Sequence, residues 1–314
     1  MTRPSSLVIG AAVVAMALTL APLAAQPIQQ RRPGDQVFRT GVDMVSLNVT
    51  VVDQKQHYLT DLEQQDFMIF EDGARQDITF FNRTTLPIAL SLLIDTSASM
   101  EQRMTVAQDA AIGFARRLRP QDLAQIVDFD TGVEIRQGFT ADTAALETAI
   151  RGTVADGSTS MYNALYISLK ELVKVQAKSD EEVRRRAVVL LSDGEDTSSL
   201  VSFEEVLDLA KRSATTIYAI GLQSRDTPMK GFREAEFVLR QLTQETGGRA
   251  FFAQRPEDLA GVYGLIAEEL ASQYVLGYAS GNPKRDGGWR RLNVQVNRQG
   301  TTTRTKRGYF APAS

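Results

Sequence analysis

Between residues 86 and 272, short apolar runs alternate with segments of helical periodicity, and this alternation constrains the fold more than any other feature. The run 86–95, LPIALSLLID, is apolar almost throughout, which is typical of a strand buried on both faces. The segment 100–118 spaces its apolar side chains three and four residues apart and predicts an amphipathic helix. Because the pattern recurs with short connections, we expect an α/β domain over 86–272 with a doubly wound, mainly parallel sheet.

Both flanks of this region have a different pattern, in which apolar and polar residues alternate one by one. Residues 43–52, DMVSLNVTVV, predict a strand with one face in a core. Residues 66–81 continue the pattern on both sides of Asp72-Gly73, a pair that is typical of a hairpin turn. After the α/β region, strand patterns return at 274–278 and again over 289–310.

Neither β segment has enough strands to bury a core by itself. We therefore expect the N-terminal segment, 37–85, to pair with the C-terminal segment, 273–314, in one small β-sandwich. The α/β domain would then be inserted between the two halves of the sandwich. The alternative is a pair of small β appendages that do not meet.

The first 25 residues have the layout of a secretory signal peptide. A basic residue, Arg3, precedes an apolar stretch over 7–20, and Ala24 and Ala25 supply the small residues of a cleavage site. Residues 26–36 form a polar linker rich in Gln, Arg and Pro. We expect an exported protein, periplasmic or extracellular, without a membrane span after cleavage. The alternative is an anchor that is not cleaved, although the apolar stretch is shorter than the roughly 20 residues of a comfortable span.

Composition argues against several classes of function. The net charge of −3 does not favour a general nucleic-acid binder. The chain has no cysteine, which excludes disulfides and thiol chemistry, and it lacks a Gly-x-x-x-x-Gly-Lys loop for phosphates. Its single histidine, His57, lies in a segment distant in sequence from the serines discussed below. We therefore do not expect an enzyme.

Oxygen-bearing side chains follow the apolar strands at three places. The first strand ends in Asp95, and Ser97 and Ser99 come directly after it. Thr159 lies in the loop before a long helix, and Asp193 ends another buried strand. In an open α/β sheet, ligands bind at the carboxyl ends of the strands, so we expect these three places to converge.

Two carboxylates and three hydroxyls suit a hard divalent cation, most simply Mg²⁺, with Mn²⁺ or Ca²⁺ as alternatives. The hydroxyls are neutral ligands, so a cation held directly by them keeps much of its charge and can bind an acidic group of a partner. The alternative is that these residues only cap helices and turns, which Ser, Thr and Asp also favour. Two further acids, Asp128 and Asp130, could line the same edge or cap a turn.

The order of Asp95-x-Ser97-x-Ser99, the Thr159 loop and the Asp193 loop resembles the von Willebrand factor type A domain over about 86–272. The resemblance implies that the five side chains form the metal-ion-dependent adhesion site of that family. The flanking stretches FMIFEDGARQDITFF, YVLGY and RTKRGYF are similar to exported bacterial proteins of a type A "related" group, known best from acidobacteria.

From this resemblance and from the residues themselves, we expect an exported, metal-dependent protein-binding or adhesion module. Its partner would be a protein that presents a carboxylate. A second hypothesis is a structural or assembly module of the cell envelope, in which the metal only stabilises loops. A third hypothesis, from another class, is a metal-assisted hydrolase.

Overall fold

The structure is a computed structural model, and the residues that it describes belong to one compact unit, 42–314. It describes residues 44–83, 86–175, 184–193, 195–222 and 229–313, with the backbone alone for 229–232. The expected signal peptide, 1–25, and linker, 26–36, lie outside the described residues. Within the described ranges, no helix combines the length and the apolar character needed to cross a membrane.

A six-stranded sheet forms the centre of the molecule. Its strands are β5 (Ile88–Asp95), β6 (Leu123–Phe129), β7 (Val133–Thr140), β8 (Arg185–Ser192), β9 (Thr216–Leu222) and β10 (Ala250–Ala253). Their spatial order is β10-β9-β8-β5-β6-β7, and every neighbouring pair is parallel except β6 and β7. This arrangement confirms the predicted α/β fold with a mainly parallel sheet.

Among the residues that the structure describes, six α-helices cover the two faces of this sheet. They are α1 (Met104–Ala115), α2 (Thr143–Arg151), α3 (Met161–Lys174), α4 (Phe203–Arg212), α5 (Met229–Thr246) and α6 (Leu259–Ala271). The helices α1, α2 and α6 bury their apolar side chains against one face, and α3, α4 and α5 against the other. Local signals start some of them: Asp142 caps α2, and Ser202 and Glu205 form a capping box at α4.

The strand β7 is absent from the predicted alternation. It pairs antiparallel with β6 at the edge of the sheet, and most of its side chains are exposed or half buried. An edge strand of this kind carries charges such as Glu134 and Arg136 and has no continuous apolar run. Its sequence therefore resembles a loop.

The flanking strands form a β-sandwich of two four-stranded antiparallel sheets, with the orders β13-β1-β11-β4 and β14-β12-β2-β3. The N-terminal strands are β1 (Met44–Val52), β2 (Phe67–Glu71), β3 (Ala74–Gln76) and β4 (Ile78–Asn82). The C-terminal strands are β11 (Tyr274–Ala279), β12 (Trp289–Val296), β13 (Thr302–Arg304) and β14 (Gly308–Phe310). Each sheet contains strands from both ends of the chain, which confirms the predicted sandwich and excludes two separate appendages.

The predicted hairpin is the turn between β2 and β3. Asp72 and Gly73 adopt φ angles of 47° and 87°, which are left-handed backbone conformations. An Asp-Gly pair is favoured where both central residues of a two-residue turn need positive φ. The sequence signal at this position therefore has a direct conformational cause.

The sandwich packs at the amino edge of the central sheet, where the chain enters β5 and leaves α6. Glu269 of α6 is fully buried there, accepts a hydrogen bond from the Tyr218 hydroxyl at 3.0 Å, and forms an ion pair with Arg304 of β13. Nearby, the Arg185 guanidinium donates to the Leu270 carbonyl at 2.9 Å. The ion pair between Glu269 and Arg304 joins the sandwich to the α/β part at this edge and leaves the carboxyl edge of the sheet on the opposite side.

Candidate functional site

Asp95 is the last residue of β5 and lies at the carboxyl edge of the central sheet. Its side chain is fully buried and accepts hydrogen bonds from the Ser97 backbone N–H at 2.9 Å and from the Ser192 hydroxyl at 2.6 Å. Burial raises the pKa of Asp95 to about 6, against the effect of these hydrogen bonds, and the nearby charge of Asp193 raises it further. In the described part of the chain, no Lys or Arg forms an ion pair with Asp95.

The two predicted serines connect Asp95 to Asp193. Ser97 lies two residues after Asp95, and its hydroxyl is 3.0 Å from the hydroxyl of Ser99. The Ser99 hydroxyl donates in turn to Asp193 Oδ1 at 2.8 Å. Four of the five predicted side chains are therefore brought together, although Asp193 is almost a hundred residues away from Ser99 in sequence.

Asp193 also contacts a basic side chain that the motif does not include. Arg103 Nη1 lies 2.5 Å from Asp193 Oδ2 and donates to the Ser99 carbonyl at 3.0 Å. Burial raises the pKa of Asp193, while the Ser99 hydrogen bond and the Arg103 charge lower it, and the net shift is upward. The Arg103 guanidinium thus supplies positive charge on one side of this carboxylate.

The loop that carries Thr159 packs beside Ser97 through its backbone. The Ala98 N–H donates to the Gly157 carbonyl at 3.1 Å, and the Asp156 N–H donates to the Thr96 carbonyl at 2.7 Å. Gly157 has a φ of +67°, and a Cβ at this position would collide with the Thr131 hydroxyl. Only glycine therefore fits this close approach without strain.

Thr159 itself is buried and joins the Asp193 loop. Its N–H donates to the Thr197 hydroxyl at 3.0 Å, and its carbonyl accepts from the Thr197 N–H at 2.9 Å. Asp196 in the same loop accepts from the Tyr162 N–H at 2.9 Å and from the Ser199 hydroxyl at 2.6 Å. All three predicted loops are thus joined by hydrogen bonds at one edge of the sheet.

Asp128 and Asp130 have ordinary structural partners. Asp130 Oδ1 accepts from the Gly132 N–H at 2.8 Å, which is a turn cap. Asp128 is buried at the end of β6 and pairs with Arg136 of β7 at 2.7 Å. Of the two readings given for these acids, turn capping therefore describes Asp130, and Asp128 pairs across the edge of the sheet.

The chemistry of the donor set fits a hard divalent cation. Asp95 and Asp193 provide carboxylates whose pKa values are raised by burial, and a nearby cation would relieve the cost of their ionisation. Ser97, Ser99 and Thr159 provide hydroxyl oxygens, which Mg²⁺ and Ca²⁺ accept as ligands. The described residues contain no cluster of three or more His, Asp or Glu side chains suited to a metal. The predicted set differs from such a cluster because three of its five members are hydroxyls.

The residues of this site lie within a region that matches the profile of a known protein family. Residues 90–195, which include all five predicted side chains, match the family profile described as "von Willebrand factor type A domain". The chain carries a von Willebrand factor type A domain. Its match to the narrower "related" group, inferred from the flanking stretches, remains a prediction.

One curated protein is similar to this chain at low identity. A "UPF0353 protein" of Mycolicibacterium gilvum is 24% identical over 229 residues, and the match covers 65% of this chain and 65% of that protein. This chain therefore spans just under two thirds of the length of that relative.

Two solved structures share the fold of the type A domain at low identity. A von Willebrand factor type A protein from Catenulispora acidiphila is 13% identical, covers 88% of this chain and 76% of its own, and has a TM-score of 0.51. Proximal thread matrix protein 1 from the mussel byssus, with a zinc-occupied MIDAS motif, is 15% identical, with a TM-score of 0.50. That match covers 60% of this chain and 49% of the mussel protein.

Two residues at the edge of the type A domain were not predicted from the sequence. Arg103 follows Ser99 by one helical turn, and its position within a mostly polar segment gives no sign of a contact with Asp193. Ser192 precedes Asp193 in an apolar strand and donates to Asp95. The Ser192 contact with Asp95 depends on the register of β8 against β5, in which Ile94 lies opposite Leu191, and the residue types alone do not reveal that register.

Proposed function

We propose that this chain is an exported binding module whose type A domain captures an acidic group of a protein partner. In this proposal, Ser97, Ser99 and Thr159 hold a divalent cation through their hydroxyls, and Asp95 and Asp193 supply negative charge. When bound there, the cation supplies a positive charge with an open coordination position, to which a carboxylate of the partner can bind. Mg²⁺ is the proposed ion, with Mn²⁺ or Ca²⁺ as alternatives.

One observation supports this proposal most directly. The Ser97 N–H donates to Asp95, and the Ser97 and Ser99 hydroxyls continue the connection to Asp193. Both carboxylates are buried, and Asp95 has only neutral hydrogen-bond donors among its described partners. A buried carboxylate that meets no cation of its own chain is costly to ionise, and a bound cation relieves that cost. The mussel protein of similar fold, whose structure has zinc in its MIDAS motif, is consistent with metal at this place in the fold.

Calorimetric titration of the purified chain with Mg²⁺ tests the metal part of the proposal. We expect saturable binding of one ion and a loss of affinity of at least about tenfold in Ser99→Ala, because even outer residues of metal sites typically contribute 10–100-fold. Ser272→Ala is the matched control, since it removes a hydroxyl that donates to the Glu268 carbonyl at the end of α6, at the opposite edge of the sheet. Absence of binding of Mg²⁺, Mn²⁺ and Ca²⁺ would exclude the proposal.

The carboxylate part needs a separate measurement. Mn²⁺ bound to the chain enhances the relaxation of water protons, and a carboxylate that takes its open position should lower this enhancement. We expect acetate to do so in the wild type at concentrations that leave Mn²⁺ bound. An enhancement that acetate does not change would leave a metal site without the proposed binding role.

A structural or assembly module is the second candidate. The three loops are already joined by hydrogen bonds in the chain alone, which favours a site where metal only adds rigidity. Asp95→Ala would then lower the melting temperature but leave binding of a partner intact.

Hydrolysis has less support from the geometry. His57 pairs with Asp53 at 3.2 Å on an exposed turn of the sandwich, whereas the proposed site lies at the carboxyl edge of the sheet. Turnover of ester or phosphoester substrates that a chelator abolishes would be needed to support this candidate.

A further inference from the structure

Arg103 lies beside the Asp193 carboxylate, in a position where a bound divalent cation would also be stabilised. Its guanidinium is 2.5 Å from Asp193 Oδ2, while the other oxygen of the same carboxylate accepts from Ser99. The Asp193 side chain is 1% exposed and the Arg103 side chain 16% exposed, so the pair is largely removed from water. Charged hydrogen bonds of this kind are stronger than neutral ones.

The position of Arg103 in the chain allows its side chain to turn away from Asp193. Arg103 is the last residue of a 3-10 helix, Ala98–Arg103, that connects Ser97 to α1. Its guanidinium also donates to the Ser99 carbonyl at 3.0 Å, so it bridges two of the proposed metal-binding residues. A long side chain at the rim can rotate towards water, where its charged head is solvated, once another cation compensates the charge of Asp193.

We propose that Arg103 and the divalent cation compete for the charge of Asp193, so that metal binding is an exchange of one cation for another. This inference rests on the proposed metal site and concerns its regulation. In the metal-free chain, Arg103 neutralises Asp193 and holds the loops together. When a divalent ion is held by the hydroxyls, Arg103 leaves Asp193 and turns to the rim.

If the two cations exchange in this way, removal of the Arg103 guanidinium should lower the stability of the metal-free chain and raise its affinity for Mg²⁺. Removal of the guanidinium leaves Asp193 buried without its counter-charge, so the chelated chain should become less stable. The same removal eliminates a competitor and a like charge beside the ion, so Mg²⁺ should bind more tightly. A residue that only supports the loops would weaken both properties together.

The test is a comparison of wild type with Arg103→Gln, by Mg²⁺ calorimetry and by thermal unfolding in chelator and in saturating Mg²⁺. We expect the dissociation constant for Mg²⁺ to fall about tenfold or more, the size expected when a like charge is removed beside a partly buried ion. We also expect a melting temperature lower than that of wild type in chelator, and recovery of this deficit in Mg²⁺. Arg116→Gln is the matched control, since Arg116 pairs with Glu147 at the end of α1.

Arg103→Lys keeps the charge on a shorter and less directional group, and it covers the case in which the glutamine variant does not fold. The same variant assigns the side-chain Nε–H signal of Arg103, since this is the signal that its nitrogen-edited NMR spectrum lacks relative to wild type. We expect this signal in the wild type to shift during Mg²⁺ addition with the same saturation as the heat of binding.

The outcomes separate the two proposals. Equal or weaker Mg²⁺ affinity in Arg103→Gln overturns the exchange and leaves the metal site in place. An Nε–H signal that saturating Mg²⁺ does not move also overturns it. Failure of wild type and both variants to take up Mg²⁺, Mn²⁺ or Ca²⁺ overturns the metal site together with the exchange.

Discussion

Two regions of this molecule bury carboxylates almost completely, and they compensate for that burial in different ways. In the sandwich, Glu71 of β2 is 2% exposed and faces Arg290, whose guanidinium lies 3.2 Å from Glu71 Oε1. At the carboxyl edge of the central sheet, Asp95 is fully buried and meets only neutral donors among the described residues. The two carboxylates therefore differ in whether the chain provides its own cation.

The two carboxylates also differ in the number of hydrogen bonds that they accept. Its carboxylate accepts from the hydroxyls of Tyr278 at 2.6 Å, Ser280 at 2.7 Å and Tyr309 at 2.9 Å. Burial by itself raises the pKa of Glu71, but these three hydrogen bonds and the charge of Arg290 outweigh it, so the net shift is downward.

For Asp95 the balance has the opposite sign, because burial outweighs its two hydrogen bonds and raises its pKa to about 6. We therefore interpret Glu71, whose charge is satisfied within the sandwich, as a structural carboxylate. A carboxylate left without a cation is suited to receive one from outside, which is how we interpret Asp95.

The largest expected effect comes from removing the cation of the sandwich. Arg290→Gln leaves Glu71 buried without a counter-charge, and loss of one partner from a buried ion pair typically costs about 3–5 kcal/mol of unfolding free energy. We expect this loss in urea denaturation, and we expect it to be the same with and without Mg²⁺. If added Mg²⁺ restored the stability of Arg290→Gln, the proposed difference between the two regions would be wrong.

The second effect is on the pH dependence of the chelated chain. The folded pKa of Asp95, about 6, lies above the unfolded value of about 3.9, so the folded chain binds more protons between these values. The contribution of Asp95 is therefore most favourable below pH 4, falls as the pH rises, and is lost above pH 6, a change of about 3 kcal/mol. Glu71 contributes with the opposite sign, since its pKa is lowered.

This contribution can be measured by denaturing wild type and Asp95→Asn in chelator over pH 4–7. The difference between their free energies of unfolding isolates Asp95, because both chains contain the same other carboxylates. We expect the stability of Asp95→Asn relative to wild type to increase with pH. A difference that does not change with pH would show that Asp95 ionises in the metal-free chain without cost.

A third effect concerns the backbone beside each carboxylate. Gly157→Ala places a methyl group against Thr131 at a φ of +67°, and strain of this kind costs about 1–3 kcal/mol. Because the Thr159 loop must move to accept it, we expect Mg²⁺ affinity to fall as well. The matched control is Gly73→Ala in the hairpin, which has a φ of +87° but no atom within 4 Å of the added carbon. It should cost about 1 kcal/mol and leave Mg²⁺ affinity unchanged.

The sequence predicts most of the fold because the two regions have different hydrophobic periods. Continuous apolar runs such as β5 indicate strands of a covered parallel sheet, and the one-by-one alternation of β1 indicates a strand with one buried face. It could not predict β7, because pairing at an edge with exposed side chains leaves no apolar period to read.

For the site, the sequence predicts the residues but not the balance of charge among them. Asp95, Ser97 and Ser99 are adjacent in the chain, and the topology of parallel strands is enough to bring Asp193 to them. The Arg103 contact with Asp193 depends on how the 3-10 helix turns after Ser99, and the Ser192 contact depends on the register of β8 against β5. Neither is visible in the residue types alone.

The smallest effect comes from two matched hydroxyls, one on each carboxylate. Ser192 donates to Asp95 at 2.6 Å, and Ser280 donates to Glu71 at 2.7 Å. Ser280→Ala leaves Glu71 with an arginine and other donors, so we expect a loss of no more than about 1 kcal/mol and no change in Mg²⁺ binding. Ser192→Ala leaves Asp95 with hydrogen bonds from Ser97 alone among the described residues, so we expect a loss of about 1–2 kcal/mol and a few-fold weaker Mg²⁺ binding, because the carboxylate loses part of its orientation.

Denaturation and calorimetry on this pair of variants compare the two regions with the same chemical change. Equal losses of stability, with Mg²⁺ binding unaffected in both variants, would mean that Asp95 is a structural carboxylate of the same kind as Glu71. A selective effect of Ser192→Ala on Mg²⁺ would instead link the orientation of Asp95 to the cation. Ser192 is not a proposed ligand and donates to the Asp95 carboxylate, so such an effect would support a role of Asp95 in the cation site.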